Sequence, residues 1–157
     1  MINELEEHNH DIDETCWTDV DLVRTKMSPG KAYAVAKTLA EQAALQYGKE
    51  DPGLDVVTIN PVLVGGPAIT PNVPFSVEVI LSLLTGNRQG IETLKGIQMT
   101  YGAVRLVHVE DVARAHIFLM ENPSAHGRYI CCPINTSVPQ LADYLSKRYP
   151  QYNVTTQ

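Results

Sequence analysis

The sequence KAYAVAKTLAEQAA, residues 31–44, gives the clearest prediction of secondary structure in the chain and is the starting point for predicting the rest of the fold. Apolar side chains recur at helical spacing through residues 31–49, which predicts a helix there. Tyr33 and Lys37 stand four residues apart, so a helix places both side chains on one face, one turn from each other. The first turns of this helix therefore bring a phenol beside an ammonium group.

Buried strands and amphipathic helices alternate along the remainder of the sequence. Near-continuous apolar runs of the kind found in parallel sheets predict three strands, in residues 54–64, 103–109 and 127–132. Helical spacing predicts three further helices, over about residues 75–85, 110–121 and 136–149. In the last of these helices, Ser137 and Gln140 form a capping-box pattern. The alternation predicts an α/β sheet, while the polar, Gly-containing section between residues 85 and 103 gives no clear signal.

Charge is distributed unevenly along the chain. The net charge is −6, but eight of the 18 acidic residues precede the first basic residue, Arg24, and the remainder carries ten acidic against 12 basic residues. We predict an acidic surface segment over residues 1–28 and a globular part over residues 29–157. A chain of 157 residues can form one domain with a real core. Because neither part has a basic stripe, we expect no nucleic-acid partner.

The apolar and cysteine patterns favour a cytoplasmic location. No apolar segment follows Met1, and the most apolar stretches are too short to span a bilayer, so we expect neither a secretory signal nor a membrane span. The three cysteines form no disulfide framework and no paired metal-ligand spacing, as in proteins of a reducing compartment. His8, His10, Asp11 and Asp13 form a cluster of metal-binding residue types, but without a cysteine or a distant fourth ligand we expect no metal site.

A phenol next to a cation can act as a general acid. The ordinary pKa of a tyrosine phenol is about 10, so it transfers protons poorly at neutral pH unless its anion is favoured. An ammonium group one turn away favours that anion, most strongly in a water-poor cleft. Packing and solubility produce the same spacing on many helix faces, so the pair by itself favours that structural interpretation over a catalytic one. Its context favours a site, because the helix leads into a strand that ends in NPVLVGGP (residues 60–67), and ligand sites in open α/β sheets lie at the carboxyl ends of strands.

Four segments together resemble a known family: YAVAKTLAEQAA, TINPVLVGGP, RLVHVEDVARAHIFLME and GRYICCPINTSVPQLADYLSKRYPQY. They are similar to the extended short-chain dehydrogenase/reductases, in the plant branch of anthocyanidin, dihydroflavonol and cinnamoyl-CoA reductases. The resemblance implies a partial Rossmann-like, NAD(P)-binding, doubly wound parallel sheet with a small substrate-binding lobe. It also implies an NADP-dependent oxidoreductase of flavonoid metabolism that reduces a small-molecule flavonoid, an anthocyanidin, to a flavan-3-ol. A dihydroflavonol or cinnamoyl-CoA reductase is the alternative within that branch.

The resemblance also implies roles for five residues. Tyr33 would be the catalytic acid, and Lys37 would bind the nicotinamide ribose and lower the pKa of Tyr33. Pro61, Leu63 and Val64 would line the nicotinamide pocket, together with the catalytic pair.

His108 and Asp111, in the sequence HVED, match the family's segment beside the substrate domain. Their surroundings in the sequence nevertheless favour structural roles. We expect a hydrogen bond at the end of a strand for His108 and a favourable negative charge at a helix N-terminus for Asp111.

The Gly-rich turn that begins dinucleotide binding in this fold does not occur in the sequence. There is no G-x-G in the 157 residues, and Gly65-Gly66 is followed by Pro67 rather than by a helix. The chain therefore resembles the C-terminal part of a reductase, without the N-terminal half that holds most of the cofactor. We expect it to be inactive alone and to expose backbone groups and an apolar helix face. The alternative function is that of a non-catalytic remnant that associates with an intact homologous chain.

Overall fold

A computed structural model describes residues 12–25 and 30–154, which form two compact units. The first unit contains the described residues up to Asn60 together with Leu119–Ile130. The second unit contains the remaining described residues, from Pro61 onwards.

Two predictions from the sequence concern residues outside the described ranges. His8, His10 and Asp11 of the metal-ligand cluster lie outside the described residues. The predicted boundary between residues 28 and 29 also lies outside them.

Helices and strands alternate along the described residues. The helices are α1 (Val20–Thr25), α2 (Lys31–Glu50), α3 (Phe75–Thr85), α4 (Arg88–Tyr101), α5 (Val109–Glu121) and α6 (Val138–Arg148). The strands are β1 (Val57–Pro61), β2 (Leu63–Gly65), β3 (Val104–His108), β4 (Gly127–Cys131) and β5 (Ile134–Thr136). The predicted α/β alternation is confirmed, and all four predicted helices are present with ends within two residues of those expected. No helix in these parts of the chain combines the length and apolarity needed to cross a bilayer.

The single strand predicted over residues 54–64 is in fact two strands. β1 pairs with β4, whereas β2 pairs with β3 in a second sheet. Val62 lies between them, and its N–H donates a hydrogen bond to the carbonyl oxygen of Cys131 (3.2 Å). Pro61 has no N–H group, so one ladder of hydrogen bonds does not continue unchanged through it. The apolar run therefore passes from one sheet to the other after Val62, one residue beyond the proline.

The sequence analysis does not predict α1, α4 or β5. α4 begins after Asn87, whose side-chain oxygen accepts a hydrogen bond from the N–H of Gly90 (3.1 Å), and it buries Ile91 and Leu94. β5 has three residues and lies antiparallel to β3. The sheet of the second unit is therefore mixed, with one parallel and one antiparallel pair of strands, rather than wholly parallel.

The core of the second unit lies between α3, α4, β3 and α6. Its buried apolar residues are Val79, Leu83, Ile91, Leu94, Val104, Val138, Leu141 and Leu145. Leu63 of β2 packs against this core and pairs with Leu106 of β3. Burial of these side chains is the main favourable contribution to folding of this unit.

The start of α6 has the predicted capping box. The Ser137 hydroxyl oxygen accepts a hydrogen bond from the backbone N–H of Gln140 (3.3 Å), and Gln140 Oε1 accepts one from the backbone N–H of Ser137 (3.0 Å). Pro139 lies in the first turn, where a helix has no partner for the missing N–H. The prediction for this helix start is confirmed.

Gly90 of α4 lies so close to Ser82 of α3 that there is no room for a side chain. A Cβ atom at Gly90 would lie 2.5 Å from the Cβ of Ser82, whereas a Cβ at Gly96 of the same helix would meet no atom within 4 Å. We predict that Gly90→Ala lowers the free energy of unfolding by about 1 kcal/mol, because overpacking outweighs the gain in helix propensity. Gly96→Ala is the matched control and should raise that free energy by up to about 1 kcal/mol. Urea unfolding followed by circular dichroism measures both changes, and equal effects would contradict the packing argument.

Candidate functional site

In the first unit, α2 and β1 run side by side in opposite directions. Near the C-terminal end of α2, Gly48 lies against Val56, and a Cβ atom at Gly48 would be 2.6 Å from the Val56 side chain. About two turns earlier in α2, the Glu41 carboxylate accepts hydrogen bonds from Thr58 (2.7 Å) and Asn60 (2.7 Å). The start of α2 therefore lies at the carboxyl end of β1.

This arrangement carries Tyr33 and Lys37 past the carboxyl end of β1. Lys37 precedes Glu41 by about 6 Å along the helix axis, and Tyr33 precedes it by about 12 Å. β1 ends at Pro61, which is one residue or about 3 Å beyond Asn60. The pair consequently lies at the end of the strand where ligand sites form in open α/β sheets.

The side chains of Tyr33 and Lys37 are open to solvent. Tyr33 is 71% exposed, and Lys37 is also exposed. Water and salt screen the influence of an exposed cation on a neighbouring group. Residues 12–25 and 30–154 thus place the pair one turn apart without enclosing it, and its catalytic role stays a prediction.

The three residues predicted to line a nicotinamide pocket belong to the second unit. Pro61 is exposed at the end of β1, whereas Leu63 and Val64 are half-buried in β2. Leu63 packs against the core of this unit, and Val64 pairs with β3. The five predicted residues are therefore divided between the two units, with Tyr33 and Lys37 in the first. The contribution of the other three to a cofactor pocket stays a prediction.

His108 and Asp111 have the structural roles expected from the sequence. At the end of β3, Nδ1 of His108 accepts a hydrogen bond from the backbone N–H of Glu110 (3.2 Å). Asp111 lies in the first turn of α5, where the helix dipole favours a negative charge. Both expectations are confirmed.

The Gly65-Gly66 turn is not arranged as a phosphate cradle. Gly66 has a φ of 132°, and a Cβ atom there would lie 2.7 Å from Val109 and 3.0 Å from His108. The backbone conformation and the close neighbours both require glycine at this position. The next helix, α3, begins only at Phe75, whereas a cradle needs the turn to open directly into a helix N-terminus.

A buried ion pair that the sequence analysis does not identify holds α2 on the sheet of the first unit. Arg128 of β4 donates from Nε to Oε1 of Glu41 (2.9 Å) and from Nη2 to Oε2 (3.1 Å). The Arg128 and Glu41 side chains are only 11% and 12% exposed. Bidentate pairs of this kind are strong and directional. Together with Thr58 and Asn60, Arg128 supplies the Glu41 carboxylate with four hydrogen bonds.

The rest of the Arg128 guanidinium holds the segment that precedes α1. Nη1 donates to the carbonyl oxygens of Glu14 (2.7 Å) and Cys16 (2.8 Å), and the guanidinium lies 3.6 Å from the centre of the Trp17 ring. The Glu14 side chain accepts a further hydrogen bond from the backbone N–H of Ile130 (3.0 Å). A cation over an indole face is a favourable contact. This part of the predicted acidic surface segment is therefore packed against β4.

The pKa of Glu41 is held below its ordinary value. Burial alone would raise this pKa, but the hydrogen bonds from Arg128, Asn60 and Thr58, with the positive charge of Arg128, outweigh burial. Glu41 is therefore ionised at neutral pH and serves as the counter-ion of Arg128.

The sequence contains a signal for Glu41 but none for its partner. Tyr33, Lys37 and Glu41 recur every four residues, so a helix places all three along one face. Arg128 lies 87 residues further along the chain, and no local spacing connects it to α2. Periodicity therefore shows that Tyr33, Lys37 and Glu41 share a helix face, whereas the ion pair between Glu41 and Arg128 can be identified only from the folded structure.

Comparison with protein families finds a match to the NAD dependent epimerase/dehydratase family over residues 12–132. This range includes both Tyr33 and Lys37, as well as the Glu41–Arg128 pair. It covers most of the first unit and part of the second.

Individual relatives match almost the whole chain. A Ginkgo biloba protein provisionally named anthocyanidin reductase is 60% identical over 155 residues, which are 99% of this chain and 45% of that protein. The (2S)-flavan-3-ol-forming anthocyanidin reductase of Vitis vinifera is 48% identical over 99% of this chain and 46% of its own length. Vestitone reductase from alfalfa (Medicago sativa), a solved structure, matches with a TM-score of 0.80 and 39% identity, over 92% of this chain and 44% of that chain. The structural match confirms the predicted Rossmann-like fold, and the chain spans about half the length of these relatives.

The ionised state of Glu41 makes the stability of the first unit depend on pH. The pKa of Glu41 is lower in the folded chain than its ordinary value of 4.5 in the unfolded chain. Ionised Glu41 therefore makes its full contribution to the free energy of unfolding above pH 4.5, and this contribution is lost as the pH falls through the folded pKa. We predict that the wild-type chain loses more stability between about pH 5 and about pH 3 than Glu41→Gln does. At neutral pH, Glu41→Gln should cost about 2 to 4 kcal/mol, because Arg128 is left without its carboxylate.

Chemical unfolding followed by the fluorescence of Trp17, the single tryptophan, measures this unit at each pH. The pKa of Asp13 is also lowered, by hydrogen bonds from Thr15, but Asp13 is present in both proteins. The difference between the two pH curves therefore isolates Glu41. Parallel curves would contradict the prediction.

Proposed function

The chain belongs to the NAD dependent epimerase/dehydratase family, and from this premise we propose that it represents an NADP-dependent flavonoid reductase of the type that reduces an anthocyanidin to a flavan-3-ol. The observation that carries the proposal is the position of Tyr33 and Lys37, one helical turn apart and past the carboxyl end of β1. The relatives named anthocyanidin reductase support the substrate class. The choice of NADP follows from the resemblance to this branch of reductases.

In the proposed reaction, Tyr33 donates a proton to the substrate and Lys37 makes the Tyr33 phenol a better proton donor. Conversion of a cationic anthocyanidin to a flavan-3-ol takes up two hydrides and one proton, so a bound nicotinamide cofactor would have to supply a hydride twice, with the oxidised cofactor exchanged in between. The Tyr33 hydroxyl would donate its proton to the unsaturated substrate, and the Lys37 ammonium would stabilise the phenolate that remains. The other N–H donors of Lys37 would hold the nicotinamide ribose, and Pro61, Leu63 and Val64 would line the pocket for the ring.

The described residues can bind the nicotinamide end of such a cofactor. The ammonium group of Lys37 is exposed and has no partner among the described residues, so it could donate hydrogen bonds to a ribose. The pyrophosphate end lacks a counterpart in the described parts of the chain, because the Gly65-Gly66 turn leads into a loop and is packed against Val109. We infer that this chain alone holds the cofactor too weakly for effective turnover.

We also propose a second function, association with an intact homologous chain, which the outer face of α2 favours. A stripe of apolar residues on this helix is exposed: Ala32, Ala36, Leu39, Ala40, Ala43 and Tyr47. Within the described residues, β1 pairs only with β4, so its other edge is unpaired. Exposed apolar stripes and unpaired strand edges are typical of surfaces that bind another polypeptide. The proposed partner is a full-length family member, because vestitone reductase, for example, is more than twice as long as the part matched by this chain.

We predict that the purified chain oxidises NADPH in the presence of an anthocyanidin at least about 100-fold more slowly than a full-length anthocyanidin reductase, because the Tyr33 phenol is exposed to water. The assay follows NADPH absorbance, with Tyr33→Phe as the control and a dihydroflavonol as the alternative substrate. Faster turnover that disappears in Tyr33→Phe would overturn the expected inactivity and support the catalytic assignment. Faster turnover that persists in Tyr33→Phe would contradict that assignment.

We predict that the chain binds a full-length anthocyanidin reductase in a pull-down and co-elutes with it in size-exclusion chromatography. Leu39→Asp should weaken this binding about tenfold or more, because it places a charge in an apolar contact. Met99→Asp is the matched control, since Met99 is 87% exposed but belongs to the second unit and lies outside the α2 stripe. A stable monomer that binds no relative would remove this proposal.

A further inference from the structure

The three residues Tyr33, Lys37 and Glu41 share one face of α2, and among the hydrogen bonds that the structure describes only those of Glu41 anchor a side chain of this set. The Glu41 carboxylate accepts four hydrogen bonds, from Thr58 and Asn60 of β1 and from two nitrogens of Arg128. The anchor therefore lies one turn from Lys37 and two turns from Tyr33. Any rotation of α2 about its axis would break these bonds and would turn the two predicted site residues by the same angle.

Arg128 is itself held in one orientation. Both nitrogens that face α2 bind Glu41, while Nη1 binds two backbone carbonyl oxygens and the guanidinium plane packs on Trp17. A planar guanidinium with this many partners has little freedom to move. The position of Glu41 is thus set by β1, by β4 and by the segment before α1.

The ion pair between Glu41 and Arg128 also affects whether Lys37 pairs with Glu41 on this helix face. Acidic and basic side chains four apart on a helix often pair, and two other pairs of this chain do so: Lys147 with Asp143 (2.7 Å) and Arg114 with Glu110 (3.9 Å). Lys37 and Glu41 have the same separation but the opposite order, with the base first, which is less favourable for pairing, and no ion pair joins these two described residues. The Glu41 oxygens already have their donors, and Arg128 balances the Glu41 charge. Lys37 therefore keeps its ammonium group available for another ligand.

We propose that Glu41 and Arg128 are positioning residues for the Tyr33–Lys37 site. They hold the first turns of α2 past the carboxyl end of β1, and they prevent Lys37 from pairing with a carboxylate on its own helix. The proposal rests on the function proposed for Tyr33 and Lys37, since the reaction is what the positions serve. It assigns to these two residues a role that acts through the position of α2.

Hydrogen–deuterium exchange of the full chain tests the mechanical part of the proposal. Glu41→Gln should speed exchange of the amides of residues 34–41 by about tenfold or more and leave residues 44–50 closer to wild type, because Gly48 and Val56 still hold the other end of α2. Thr58→Val removes one of the four hydrogen bonds and should give a smaller change in the same region. It also keeps the test decisive if Glu41→Gln fails to fold.

Glu50→Gln is the matched control for exchange, because Glu50 is an exposed residue of the same helix that bonds only to Gln46 among the hydrogen-bond partners described (2.8 Å). It should leave exchange at residues 34–41 unchanged. Unchanged exchange there in both Glu41→Gln and Thr58→Val would overturn the proposal. Equal acceleration throughout α2 would overturn it too, since that is the result of general destabilisation.

Labelling of lysines by an amine-reactive reagent tests the electrostatic part. Arg128→Gln leaves the Glu41 carboxylate without its cation, so labelling of Lys37 should fall about twofold relative to Lys49 of the same helix as Lys37 pairs with Glu41. The double variant Arg128→Gln with Glu41→Gln removes both charges and should restore the wild-type ratio. A ratio that does not fall, or that the double variant does not restore, would overturn this part. Exchange and labelling need no turnover, so their outcome is independent of the NADPH assay that tests the proposed function.

Discussion

The position of α2 depends on the mostly buried ion pair between Glu41 and Arg128. Thr38 is the one fully buried side chain among those of α2 that the structure describes, and Ala34, Val35 and Leu45 are half-buried, so the ion pair adds the directional contact that apolar packing lacks. Replacing either charged partner would leave the other charge buried without compensation, which costs more than an intact pair contributes. The pair therefore acts chiefly as a geometric constraint. It fixes the rotation of α2 about its axis on the sheet, and this rotation sets the positions of Tyr33 and Lys37.

Local signals account for the parts of the fold that the sequence predicts well. The capping box at Ser137 and Gln140 and the apolar spacing of residues 31–49 involve neighbours within a few positions, so they can be identified without knowledge of the fold. α4 obeys the same physics, with Asn87 as its cap and with Ile91 and Leu94 on its buried side. Ile97 continues this apolar spacing, but Gly90 and Gly96 inside the helix weaken its intrinsic propensity and so its signal in the sequence.

The features that sequence analysis misses depend on partners far along the chain. The apolar run around Pro61 has the composition of one long strand, but β1 and β2 bond to different strands, and the change follows Val62, one residue beyond the proline. The three residues of β5 carry too little pattern to be identified, and their place is set by pairing with β3. Arg128 is 87 residues from Glu41, so its role follows only from the folded structure.

The candidate site separates two requirements of proton transfer, namely position and exclusion of water. Spacing alone predicts that Tyr33 and Lys37 are neighbours, and the anchored helix explains why both lie past the end of β1. Spacing carries no information about enclosure, and Tyr33 is 71% exposed. Two unit charges about 4 Å apart interact by about 1 kcal/mol in bulk water but by about 4 kcal/mol at the effective dielectric of a protein surface. The same two residues can therefore be correctly placed and still be weak catalysts, because most of the effect of Lys37 on a phenolate depends on what removes water from around them.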